Sequence, residues 1–131
     1  MTVRGLIGKK IGMTQMFDED GSVIPVTVLE CGPCPITQIK TDERDGYTAV
    51  QLGYGDDRKP KRTPRAHMHH VQKAGVGPQR VLKEFRVENA EGLELGQLVT
   101  VDAFDGVGSV KVTGYTKGRG FAGLMKRYDF G

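Results

Sequence analysis

Two cysteines separated by a Gly-Pro pair, Cys31-Gly-Pro-Cys34, form the motif of this sequence that most suggests chemistry. In thioredoxin-like redox proteins, a Cys-x-x-Cys pair lies between a strand and a helix N-terminus, which lowers the pKa of one thiol. A β-branched segment precedes the motif here, but residues 35–41 are too short and too β-branched for the helix that should follow. The alternative, a turn flanked by two small thiols, is the one that the sequence favours.

The same cysteines could join three histidines in a zinc site. A closed structural site typically combines a Cys-x-x-Cys pair with two histidines about three to five residues apart. His67, His69 and His70 are spaced too closely for this pattern. We therefore expect no metal and no other cofactor. The histidines are expected to cap, to pack or to touch phosphate beside a neighbouring basic segment.

That basic segment is Arg58-Lys-Pro-Lys-Arg-Thr-Pro-Arg65, which holds five bases and no acid in eight residues. Its two prolines favour an extended backbone. An extended basic segment can follow a nucleic-acid backbone, because each phosphate that it neutralises releases counterions. The alternative is a charged run that only meets solvent.

A glycine-rich segment, Gly118-Arg-Gly-Phe-Ala-Gly123, matches the G-x-G-x-x-G pattern of dinucleotide-binding loops. That pattern also needs a following strand and an acidic residue about 20 positions further on, and the sequence ends at Gly131. Glycines still let a backbone approach phosphate closely, and a helix N-terminus favours an anion. We expect this anion to be a nucleic-acid backbone, because four bases lie nearby: Lys117, Arg119, Lys126 and Arg127.

Charge is strongly segregated along the chain, although its 131 residues carry a net charge of only +3. Residues 1–17, 58–87 and 106–131 carry +3, +8 and +4, whereas residues 18–57 and 88–105 carry −7 and −5. If the fold brings the basic segments to one side, that side attracts a polyanion. The alternatives are that opposite charges pair with one another, or that the acidic segments bind protein partners.

Composition excludes several classes of protein. No apolar run approaches the ~20 residues of a membrane span. Lys9 and Lys10 interrupt the continuous apolar region that a signal peptide requires. Two cysteines are too few for a disulfide scaffold, which indicates a cytoplasmic protein. Neither a Ser-His-Asp set nor a Walker loop occurs, so we expect no enzymatic activity and no small-molecule substrate.

The elements that must position these groups are mainly strands. Turn signals at Asp20-Gly21 and Asp45-Gly46 separate β-branched segments, and Pro25 marks an edge strand or a bulge. Two short helices are predicted at 67–74 and 120–128. The predicted strands are 12–17, 23–30, 36–41, 48–54, 80–87, 98–101 and 109–115. This pattern predicts one mainly β domain over 1–131, a small barrel or sandwich, with a basic loop and short helix at 56–78 inserted between strands.

Several segments together carry a likeness to one known family, in the same order and over nearly the whole chain. The most specific is Thr116-Lys-Gly-Arg-Gly-Phe-Ala-Gly-Leu-Met-Lys-Arg127. The others are Arg4-Gly-Leu-Ile-Gly-Lys-Lys-Ile-Gly-Met-Thr-Gln-Met-Phe17, Ile24-Pro-Val-Thr-Val28, Gly32-Pro-Cys34, Asp45-Gly-Tyr-Thr-Ala-Val-Gln-Leu-Gly53, Lys73-Ala-Gly-Val76, Glu84-Phe-Arg86 and Val112-Thr-Gly114. With these segments the sequence resembles bacterial large-subunit ribosomal protein three.

The resemblance implies a structural, ribosome-associated protein of the cytoplasm. It implies a barrel of about six strands, like that of translation elongation factors, which lies on large-subunit ribosomal RNA beside neighbouring ribosomal proteins and acts early in subunit assembly. It further implies that the glycine-rich segment and the basic loop lie against RNA. The residues expected to bind RNA are Arg4, Lys9, Lys10, Arg58, Lys59, Lys61, Arg62, Arg65, His67, His69, His70, Lys73, Lys117, Gly118, Arg119, Gly120, Lys126 and Arg127.

The sequence departs from the family in its length. Members of the family continue with a long Gly-, His- and Arg-rich extension and then with further barrel strands, so the chain corresponds to their N-terminal portion. Functions tied to the extension are not carried over to this chain. We also expect that the strands of this chain alone leave the barrel incompletely closed.

Overall fold

The computed structural model of the chain describes residues 3, 5–55 and 60–130, in which six strands form two antiparallel sheets. The strands are β1 Gly8–Phe17, β2 Val23–Cys31, β3 Cys34–Lys40, β4 Ala49–Tyr54, β5 Val81–Arg86 and β6 Leu98–Val99. The helices are α1 Asp42–Asp45, α2 Arg65–Gln72 and α3 Leu124–Tyr128, and single 3-10 turns span Pro60–Arg62 and Val101–Phe104. The fold is therefore mainly β, as the sequence predicts.

The first sheet is the hairpin β1–β2, whose turn lies where Asp20-Gly21 predicts it. The Gly21 N–H donates to Asp18 O at 2.9 Å, and Gly21 has a φ of 78°, which glycine adopts without strain. Pro25 pairs with Gln15. It is tolerated because a sheet of two strands consists of edges alone. The irregularity in the register lies in β1 instead, between Lys10 and Gly12.

The second sheet has the strand order β5-β4-β3-β6. Its central strand β4 alternates as the sequence predicts, with Val50 and Leu52 on one face and Gln51 on the other. The first face carries the core, a cluster of buried side chains that consists of Val3, Cys34, Ile36, Val50 and Leu52. The second face carries the Gln51 side chain, which accepts a hydrogen bond from His70 of α2, and Val71 of the same helix is fully buried. The core therefore holds the sheet together, and the polar face positions the basic helix.

Residues 109–115 do not form the predicted strand. Their alternating valines, Val110 and Val112, are exposed, and no other strand of the described residues pairs with them. A β-like sequence becomes a strand only when a neighbour satisfies its backbone N–H and C=O groups. The smaller differences have local causes. β6 stops at Val99 where a 3-10 turn begins, and α2 begins directly after Pro64.

The described strands do not close into a barrel. The hairpin leaves an outer edge on each of its strands, and β5 and β6 are the edges of the second sheet. A barrel needs each of these edges to be hydrogen-bonded to a neighbour. None of the helices in residues 3, 5–55 and 60–130 has the length and hydropathy that crossing a membrane requires.

Candidate nucleic-acid interface

Helix α2 places its histidines against the sheet and its other basic side chains towards solvent. The His67 Nε2 donates to Gln79 O at 3.0 Å, and the His70 Nε2 donates to the Gln51 side-chain oxygen at 2.6 Å. These two residues are half-buried, whereas Arg65 and His69 are exposed. His67 and His70 therefore position the helix, and its outward residues are the ones that could meet a phosphate backbone.

A polar network on the sheet anchors this helix. The Gln51 side-chain oxygen also accepts from Thr37 Oγ1 at 2.9 Å, and Gln51 Nε2 donates to Glu84 at 3.4 Å. Glu84 accepts from Tyr47 OH at 2.8 Å and forms an ion pair with Lys40 at 2.9 Å. Hydrogen bonds from Lys40 and Tyr47 lower the pKa of Glu84, and those to Tyr47 and Glu84 raise the pKa of Lys40. The network thus links Gln51, which holds His70 of α2, to the Lys40–Glu84 ion pair.

Apart from Arg80, the exposed bases of the described residues form no ion pair of this kind. Among the residues that the structure describes, and leaving Arg80 aside, Lys40–Glu84 is the one ion pair within 4.0 Å. The alternative that basic and acidic segments neutralise one another therefore finds no support in this part of the chain. Uncompensated cations on a surface attract polyanions.

The predicted RNA-binding residues fall into three groups in the structure. Lys9 and Lys10 are exposed on β1, where consecutive side chains point to opposite faces of the hairpin. A second group surrounds α2, and a third lies in the segment 109–130. The exposed members of the latter two are Lys61, Arg62, Arg65, His69, Lys73, Lys117, Gly118, Arg119, Gly120, Lys126 and Arg127. Arg4, Arg58 and Lys59 lie outside the described residues.

The segment 109–130 is exposed along almost its whole length. Lys117 and Arg119 lie between the fully exposed rings of Tyr115 and Phe121. The Arg127 guanidinium lies 5.4 Å from the centre of the Tyr128 ring. Exposed aromatic rings among bases are typical of surfaces on which unpaired RNA bases stack. These aromatic residues are not among the RNA-binding residues predicted from the sequence. Their alternation with bases in the sequence is a pattern that would have indicated them.

Sequence reasoning also missed Arg44, because this residue lies within an acidic segment. The structure places Arg44 beside His70 and Lys73 in the lining of an open groove of about 260 Å³ between α1 and α2. A second open groove, of about 360 Å³, is lined by Lys9 and Arg80 together with the acidic Glu30. Three-dimensional proximity between a helical turn and a distant helix leaves no periodic signal in a sequence.

The Cys31-Gly-Pro-Cys34 motif joins two strands. Cys31 ends β2 and Cys34 begins β3, so no helix follows the motif. Cys34 is fully buried with its Sγ 3.5 Å from Ile7 O, and burial raises the pKa of its thiol. In redox Cys-x-x-Cys proteins a helix N-terminus lowers the pKa of one thiol, and here β3 follows the motif instead of a helix. No three His, Cys, Asp or Glu side chains cluster for a metal ion in residues 3, 5–55 and 60–130.

Cys34 should react with iodoacetamide at pH 7 roughly tenfold or more slowly than Cys31, since the thiolate is the reactive form and burial disfavours it. Mass spectrometry of alkylated peptides, with and without urea, measures both rates. Urea should abolish the difference. A Cys31→Ser variant isolates the Cys34 rate, and fast modification of this thiol in the folded chain would contradict its burial.

Comparison with known proteins identifies the relatives of this chain. No family model matches it. The large ribosomal subunit protein uL3 of Corynebacterium diphtheriae is 52% identical over 128 residues, which cover 98% of this chain and 58% of the relative. The chain is a uL3 homologue. The uL3 proteins of Picosynechococcus and Acidothermus cellulolyticus are 52% and 53% identical over 96% and 98% of the chain.

Two points follow from this relationship to uL3. The resemblance inferred from the collinear segments is confirmed, because about half of the residues are identical over nearly the whole chain. The chain spans about 58% of the length of the Corynebacterium diphtheriae uL3 that it matches.

Proposed function

We propose that this uL3 homologue is a structural, non-enzymatic constituent of the large ribosomal subunit that binds ribosomal RNA and supports early subunit assembly. The observation that carries the proposal is the exposure of bases around α2 and in the segment 109–130, without acidic partners in the described structure. RNA is the polyanion that a large ribosomal subunit provides. Its phosphates would supply the negatively charged partners that these basic side chains lack.

The two basic regions suit different parts of an RNA. Helix α2 is held by His67, His70 and Val71, so its exposed bases form a rigid surface that fits the backbone of a folded RNA. The segment 109–130 offers glycines, bases and exposed rings, without strand or helix before α3, which fits unpaired nucleotides. All eighteen residues of the sequence-based list remain proposals for RNA contact, with His67 and His70 as positioning residues.

The proposal extends to the surroundings of the chain. Acidic segments 18–57 and 88–105 would face solvent or neighbouring ribosomal proteins, and the complex would be cytoplasmic. The two sheets would be parts of a barrel of the translation-factor type. The hairpin supports this, because Phe17 and Val23 on one face and Met16 and Ile24 on the other all expose apolar surface that further strands would cover.

Salt dependence of RNA binding tests the proposal. The chain is titrated against purified large-subunit ribosomal RNA by filter binding at several KCl concentrations. We expect log affinity to fall linearly with log salt, with a slope of about −4 to −7 if six to ten bases meet phosphate at ~0.7 each. Small-subunit RNA is the matched control and should bind more weakly at every salt concentration. An affinity that does not change with salt would contradict RNA binding by these bases.

A further inference from the structure

The groove between α1 and α2 is lined by basic, polar and apolar side chains and by no acid. Arg44 belongs to α1, His70 to α2, and Lys73 directly follows α2. Ile39 and Leu95 are the apolar lining residues, and Thr37 and Gln38 complete the lining. Basic and apolar side chains in one groove match the two halves of a nucleotide, its phosphate and its base.

The groove is formed by fixed parts of the fold. His70 is held by Gln51 at 2.6 Å, so its ring orientation is set by the sheet beneath. Leu95 is brought to the end of α2 by Gly96, whose N–H donates to Ile36 O at 2.8 Å. Gly96 has a φ of 81°, and a Cβ there would lie 2.7 Å from Ala74 O, so this close approach needs glycine. The groove therefore needs little reorganisation to receive a ligand.

Charge in the groove is uncompensated. Asp42, Glu43 and Asp45 flank Arg44 in sequence, but none of them lines the groove. No carboxylate of the described residues lies within 4.0 Å of Arg44, His70 or Lys73. An anion bound at Arg44 and Lys73 would supply the negative charge that these two side chains have no partner for among the described residues.

We propose that this groove binds one nucleotide of an RNA strand, with the phosphate held by Arg44 and Lys73 beside the His70 ring and the base or ribose on Ile39 and Leu95. The volume of about 260 Å³ is near the lower limit of ~300 Å³ for small-ligand pockets, which suits a single nucleotide. The proposal rests on RNA as the partner of this chain. It adds a specific subsite that includes Arg44, outside the basic segments.

The first test uses the double variant Arg44→Ala/Lys73→Ala with large-subunit ribosomal RNA. Both side chains are exposed and form no ion pair, so we expect the thermal unfolding curve to stay unchanged. Affinity should fall roughly tenfold or more, and the salt slope should fall by about 0.7, the value for the single phosphate that the groove holds. Lys83→Ala removes an exposed base on β5 outside the groove and outside the predicted RNA-binding residues, so this matched control should leave both the affinity and the salt slope unchanged.

The second test observes the groove directly by NMR. A uridine pentanucleotide is the probe, and inorganic phosphate is a separate arm that reports the phosphate half alone. The His70 ring resonances should shift on addition of the pentanucleotide in the wild type and in Lys83→Ala, but not in the double variant. His67, which is held against Gln79 O and does not line the groove, is the internal reference.

The outcomes separate the groove from the wider proposal. Ribosomal RNA binding that survives the double variant with unchanged affinity and slope would overturn the groove and leave the proposed function standing. If the His70 ring resonances shift with the pentanucleotide but the chain does not bind large-subunit RNA, the groove would be supported and the proposed function overturned. Absence of any His70 shift at saturating pentanucleotide would overturn the groove.

Discussion

Replacing Leu52 by alanine should lower the free energy of unfolding by about 2 to 5 kcal/mol. Leu52 is fully buried in the core cluster and pairs across the sheet with Ile36, which is also fully buried. Truncation removes apolar contacts and leaves a cavity that neighbouring strands cannot collapse to fill, because they are held by their ladders. Domains of this size are stable by only about 5 to 15 kcal/mol, so the loss is a large fraction of the total.

Urea unfolding followed by circular dichroism measures this effect. Leu98→Ala on β6 is the matched control, because the same atoms are removed from a side chain that is mostly exposed. The control should cost less than about 1 kcal/mol. Equal midpoints for Leu52→Ala and the wild type would mean that the described core does not hold the sheet together.

Reversal of four charges in the segment 109–130 should have the largest effect on RNA binding. The variant changes Lys117, Arg119, Lys126 and Arg127 to Glu. Four phosphate contacts at ~0.7 each predict that the salt slope falls by about 3, and affinity at moderate salt should fall by a factor of about 100 or more. All four side chains are exposed and lie outside the two sheets, so folding should be unaffected.

An aromatic variant separates stacking from charge in the same segment. Tyr115→Ala/Phe121→Ala removes two exposed rings and leaves every base in place. Stacking contributes about 1 to 3 kcal/mol per base, so affinity should fall while the salt slope stays as in the wild type. Filter binding with large-subunit RNA measures both quantities.

The charge-reversed variant is measured in the same way. If it binds as the wild type does, the segment 109–130 is not part of the interface.

Local features of the fold could be read from the sequence. The hairpin turn at Asp20-Gly21, the alternation of β4 and the existence of α2 depend on backbone preferences and on spacing within a few residues. Such preferences act on neighbouring residues in any context, and the structure confirms these three. The relationship to uL3 is likewise contained in the order of residues, and the comparison confirms it.

The strand predicted at 109–115 shows where local preference fails. Val110 and Val112 have the right residue types, but a strand also needs a partner, and the described residues place none beside them. The binding residues of the sequence-based list have a similar status. Their charges are evident from the sequence, but which of them meet RNA stays a prediction.

By itself, the sequence determined the charge segregation, the turns and the family likeness of this protein, because each is a property of residues close in the chain or of their order. Only the tertiary structure decided that Cys34 is buried against Ile7, that His67 and His70 anchor α2, and that Arg44 joins His70 and Lys73 in one groove. The physical reason is the same in each case. Burial, hydrogen-bond partners and the local electrostatic field depend on groups far apart in sequence, which only the packed chain brings within a few ångströms of one another.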